Sequence, residues 1–174
     1  MKKTIIIIAL VAFFAPCLFS QESRRPMIDE ALEGCRDPSG EPVPTRMDSW
    51  QPYVVMARSH ERTGAPEILV NPELAGKYSF SSYTLRWLYL RECAHIRLEH
   101  QRLEHPSDAA QEEADCFALR ELLAQYEDNS MLKSRITDTI SRDIRSHGYE
   151  AWNEMRLGQK RDPDLMFRCY ERRK

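Results

Sequence analysis

Four cysteines spread behind an apolar, lysine-headed opening restrict the fold of this chain more than any other feature of its sequence. Lys2 and Lys3 precede an apolar run from Ile5 to Phe14, and the small residue Ser20 offers a cleavage position, so residues 1–20 have the arrangement of a secretory signal. The run is shorter than the roughly twenty apolar residues that a membrane span needs. An uncleaved anchor is the alternative, and no second run exists to build a multi-span protein. Cys17 lies inside this segment, but Pro16 directly before it does not suit lipoprotein processing. Loss of residues 1–20 leaves Cys35, Cys93, Cys116 and Cys169, an even set. In an exported chain such a set predicts two disulfides, with three possible pairings, formed in the periplasm or outside the cell.

The 174 residues fit one domain, and 42% hydrophobic content is enough for a modest core. A formal charge of −2, made more negative by losing Lys2 and Lys3, gives no polybasic argument for a nucleic-acid partner. There is no repeat, no glycine-rich phosphate loop and no serine in a Gly-x-Ser-x-Gly setting.

Residues 21–50 carry Pro, Arg, Asp, Glu and Ser without sustained periodicity and read as an extended arm ahead of a domain over residues 51–174. Two short β-prone runs, residues 53–57 and 67–71, flank a turn at Thr63-Gly64-Ala65-Pro66 and predict a small hairpin or two edge strands. The remainder is helical. Ser81 or Ser82 caps a helix expected to reach Arg102, with Leu85, Leu88, Cys93 and Ile96 among its apolar positions. A second helix starts near Ser107 or Asp108 and turns Ala110, Ala114, Phe117, Ala118 and Leu122 inward. A third aligns Leu132, Ile136, Ile140 and Ile144 and stops at Gly148. A short helix around Trp152 and one opened by Asp162-Pro163 complete an α+β fold that is mainly helical, with four to five helices.

Two stretches carry chemistry: Arg91-Glu92-Cys93-Ala94-His95, and Gln111-Glu-Glu-Ala114-Asp115-Cys116. Over residues 53–126 the chain resembles the gluzincin zinc metallopeptidases, including the HtpX, CaaX-protease and ImmA/IrrE-type families. Their signature is His-Glu-x-x-His on one helix and Glu-x-x-Ala-Asp on the next. The resemblance implies a minimal zincin-like domain. Residues i and i+4 share a helix face, so two imidazoles can hold one Zn²⁺ there, with the intervening Glu as general base toward metal-bound water. An acidic ligand from the second helix completes the set, and an Asp four residues on orients a ligand His.

Glu92, His95 and Asp115 match this pattern; Arg91 stands at the first His position and Gln111 at the acidic-ligand position. A guanidinium has no lone pair and brings a permanent charge to the seat of the cation, and an amide oxygen is a poor zinc ligand. The resemblance therefore implies a degenerate site, with Glu92 a vestigial general base, His95 a remnant ligand and no zinc expected. Arg91 and Asp115 should form an ion pair between antiparallel helices in place of the His–Asp contact. Cys93 and Cys116, beside the two motif halves, are the expected first bridge, leaving Cys35 with Cys169.

Rescue of a metal by Glu99, His100, His105, Glu112 or Glu113 is chemically allowed. On a continuous helix, however, His100 sits about 140° off the face of His95, so a solvated face is expected. Trp50, Trp87 and Trp152 are expected in the core or at its rim. The function that follows is a secreted or periplasmic pseudo-metallopeptidase that binds a peptide or protein segment. Its alternatives are an active zinc metallopeptidase with a shifted ligand set, and a purely structural disulfide-stapled domain.

Overall fold

The computed structural model describes residues 32, 34–100, 106–126, 129–147 and 169. The expected signal, the helices at Trp152 and Asp162-Pro163, Gly148 and His105 lie outside the described residues. Among the described residues, three strands, β1 (Thr45–Met47), β2 (Val55–Ser59) and β3 (Pro66–Val70), precede four helices of more than one turn. These are α1 (Pro72–Tyr78), α2 (Ser82–Arg97), α3 (Asp108–Ala124) and α4 (Ser130–Ser146). The fold is α+β and mainly helical.

β2 and β3 form the expected hairpin, with Ala57 opposite Ile68 and Ser59 opposite Pro66. β3 is not an edge strand: β1 pairs with it in parallel, giving the order β1-β3-β2. β1 comes from within the polar arm, where three residues are too few to show an alternation. Once it is laid beside β3, both edges of β3 are paired, and Glu67, Ile68, Leu69 and Val70 are all buried. Arg58 (2.8 Å) and Arg46 (3.4 Å) reach the buried carboxylate of Glu67 from the neighbouring strands.

Each helix starts on a side chain that satisfies backbone N–H groups left over by the helical pattern. Ser81 accepts from Thr84 N–H (3.2 Å), Ser107 from Ala110 N–H (3.2 Å) and Asn129 from Leu132 N–H (2.9 Å). Asn71 accepts from both Glu73 and Leu74 at 3.0 Å, with Pro72 at the first helical position. Its amide NH₂ donates to the carbonyls of Ser49 (3.1 Å) and Gln51 (2.8 Å), fixing the turn between β1 and β2. That turn holds Trp50 out in solvent, 95% exposed, a correction to its expected place in the core or at its rim, whereas Trp87 is buried.

α2 is the centre of the molecule. Every residue from Trp87 to Ile96 is buried, so no single face dominates and the helix is packed all round. The sheet covers one side, α3 another and α4 a third. α4 supplies the amphipathic stripe expected of it, with Ile136, Ile140 and Ile144 buried. Phe117 of α3, expected inward, is only half-buried and lies under the guanidinium of Arg97, 4.7 Å from the ring centre.

Asp143 on α4 binds the start of α2, accepting from Ser81 N–H at 2.9 Å and from the Thr84 hydroxyl at 2.6 Å. A carboxylate there also opposes the positive end of the α2 dipole. Asp143→Ala leaves the buried Thr84 hydroxyl without this acceptor and is expected to lower stability by about 1.5–3 kcal/mol, the usual range for hydrogen bonds to a charged group. Urea denaturation at neutral pH checks it; an unchanged midpoint would show that the contact carries no weight.

Both disulfides differ from the expected pairing. Cys35 is bonded to Cys93 and Cys116 to Cys169. Helix geometry explains the correction. Arg91 faces α3, and Cys93, two residues on, lies about 200° round the helix and points the other way, toward the arm. Cys116 is turned about 100° from Asp115 and likewise leaves the α2–α3 seam. A salt bridge through Arg91 and Asp115 and a disulfide through Cys93 and Cys116 therefore cannot share one seam. The arm is instead bound to α2, and Cys169 to α3.

Candidate functional site

The expected site residues meet in the α2–α3 seam, around Arg91. Its side chain is 1% exposed, and each guanidinium nitrogen donates to a separate side-chain oxygen. Nε donates to Asp115 Oδ1 (2.7 Å), one terminal nitrogen to Glu92 Oε1 (2.7 Å) and the other to Gln111 Oε1. The antiparallel arrangement produces this convergence. Arg91 lies one turn before His95 on α2, and Gln111 lies one turn before Asp115 on α3, so one planar cation spans both positions of the facing helix.

The expected Arg91–Asp115 ion pair is present at 2.7 Å. Glu92 and Gln111 join it: a pairing of Glu92 with a nearby Arg or Lys is the sequence's alternative to a general-base role, whereas sequence reasoning missed Gln111. The adjacency of Arg91 and Glu92 did not single out Arg91 as that partner, because consecutive residues on a helix do not normally face one another. Glu92 divides its two oxygens. While Oε1 receives Arg91, Oε2 accepts the backbone N–H of Ala57 at 2.9 Å. Ala57 lies on β2, an edge strand, so this carboxylate also ties the sheet edge to the central helix.

Zinc does not fit this centre. The space between Glu92, Gln111 and Asp115 is filled by a buried guanidinium whose donors already use those oxygens. A dication added beside it would meet a permanent like charge.

His95 meets a partner outside the Arg91 cluster. α2 stops at Arg97, five residues before the expected Arg102, with Leu98 as its cap. Glu99 then takes a left-handed conformation (φ 57°) that is uncommon for a residue with a side chain. This turn brings His100 to His95, with the two Nδ1 atoms 3.3 Å apart. Nε2 of His100 lies 3.3 Å from Glu113 on α3. The expectation of a solvated His100 is corrected: it is 9% exposed and His95 5%. The 140° offset applied to an uninterrupted helix, and the reversal at Glu99 removes it.

Among the described residues, no group of three His, Cys, Asp or Glu side chains is arranged to hold a metal. No described helix is long and apolar enough to cross a membrane. The two disulfides associate the chain with an oxidising, non-cytoplasmic setting. No family model, curated protein or solved structure matches the chain.

Proposed function

We propose that the chain is an exported, disulfide-stapled and catalytically degenerate relative of the gluzincin metallopeptidases, acting by binding a peptide or protein segment rather than cutting one. One observation carries this reading. Glu92, Gln111 and Asp115, at the positions of general base, third ligand and orienting acid, all converge on Arg91. An internal guanidinium then does the structural work of a bound cation, gathering oxygens from two helices, and supplies none of its chemistry. Arg91 cannot polarise a water by coordination, and both oxygens of Glu92 are engaged, by Arg91 and by Ala57 N–H. Two disulfides and the signal-like residues 1–20 support export.

A purely structural role is the competing reading. It is favoured by the contact between Glu92 and Ala57, which already occupies an edge N–H of β2. Amide chemical-shift mapping with an unstructured peptide library separates the two, since a binding domain responds along β2 and α2 and a structural one does not.

The decisive experiment is restoration. Arg91→His combined with Gln111→Glu rebuilds the ligand set, and the double variant is expected to gain chelator-sensitive cleavage of an unfolded protein substrate that Glu92→Gln abolishes. The unaltered chain, supplied with zinc, is expected to show none. Chelator-sensitive, Glu92-dependent cleavage by the unaltered chain would overturn the proposal.

A further inference from the structure

We infer that His95 and His100 form a binding site for a divalent transition metal of zinc type, separate from the centre that Arg91 fills. The inference does not rest on the proposed function, because neither His100 nor Glu113 belongs to the metallopeptidase-like motif positions.

Three features point to it. The first is distance. In tetrahedral zinc sites, Zn–N bonds of about 2.0–2.1 Å set neighbouring nitrogens about 3.3–3.4 Å apart, and the two Nδ1 atoms lie 3.3 Å apart. The second is the arrangement behind His100. Glu113 faces its Nε2, the carboxylate–imidazole relation that commonly holds a metal-binding ring in its tautomer. In the tautomer with its proton on Nε2, toward Glu113, Nδ1 of His100 presents a lone pair toward Nδ1 of His95. A proton on His95 can bridge the two nitrogens, and so can a cation that accepts from both.

The third feature is charge. The Arg91 cluster sets two carboxylates, Glu92 and Asp115, against one guanidinium, and Glu113 adds a carboxylate at His100, while Arg97 turns to Phe117 and Glu121. The local balance is negative and welcomes a second cation beyond the Arg91 cluster. The pair is also pre-formed: the left-handed turn at Glu99 sets both rings before any metal arrives. Among the described residues the site offers two nitrogens, and water would complete the coordination, so binding should be exchangeable.

The test titrates the full mature chain, disulfides intact, with Zn²⁺ by calorimetry and with Co²⁺ by visible absorption, which reports tetrahedral geometry. One saturable equivalent is expected, lost in both His95→Ala and His100→Ala. Glu113→Gln, a change at a largely exposed side chain that leaves both rings in place, should weaken binding by about 10–100-fold, the usual effect of losing such a carboxylate. Absence of saturable binding would show that the rings share only a proton and would overturn this inference while leaving the proposed function intact. Binding lost in His95→Ala but kept in His100→Ala would place the metal in the Arg91 centre and overturn both.

Discussion

Replacing Arg91 with methionine is expected to destabilise the protein by about 3–5 kcal/mol, the cost of removing one partner from a buried ion pair. The side chain is 1% exposed, and its loss leaves Glu92 and Asp115, also buried, facing each other across the seam without a cation. Arg91→Lys should recover only part of the loss. An ammonium is a point charge without the planar fork that spans Asp115, Glu92 and Gln111 together. The discriminating variant combines Arg91→Met with Glu92→Gln and Asp115→Leu. Removing the whole charge set together commonly restores or exceeds the original stability, so this triple variant should unfold close to the unaltered chain. Chemical denaturation of the three proteins checks the order. A single Arg91→Met variant as stable as the parent would mean that the cluster contributes no net stability.

The second large effect comes from the cysteines. The bridges close sequence separations of 58 and 53 residues. In the chain-entropy account, loops of that size restrict the unfolded ensemble by about 4 kcal/mol each. Cys93→Ser is accordingly expected to cost several kcal/mol and to release the arm, whose Val43 and Cys35 are buried and whose Thr45 hydroxyl meets Tyr89 of α2 at 3.0 Å. Peptide mapping without reduction should recover Cys35 joined to Cys93 and Cys116 joined to Cys169. Recovery of Cys93 joined to Cys116 would contradict the helix-face argument directly.

The elements read most easily from the sequence were those with a local chemical signature. Ser81 and Ser107 announced the starts of α2 and α3, and the isoleucines at spacing four gave the buried stripe of α4. α1 carried an equally clear mark, Asn71 before Pro72, but its seven residues are too few for an apolar period to register. β1 was hidden for a related reason: it is specified by its neighbour β3 and by the Cys35 bridge, not by its own composition. The end of α2 was illegible because Glu99 is neither glycine nor proline, yet it takes the left-handed conformation that ends the helix and brings His100 to His95.

Within the site, the pairing of Arg91 with Asp115 followed from turn spacing on two antiparallel helices. The same spacing, applied to Cys93 and Cys116, already excludes a bridge between them. What spacing alone did not reveal was the fourfold gathering of Arg91, Glu92, Gln111 and Asp115. That depends on how closely α2 and α3 approach and on Ala57 being within reach of Glu92.

The order of the two bridges along the chain has a topological consequence. The first closes before the second opens, so the polypeptide is two covalent rings joined by the single tether between Cys93 and Cys116. A protease nick inside either ring leaves one covalent molecule. A nick in the tether, which carries His95, Gln111 and Asp115, separates the halves, and only the noncovalent clasp around Arg91 and the surrounding core would keep them together.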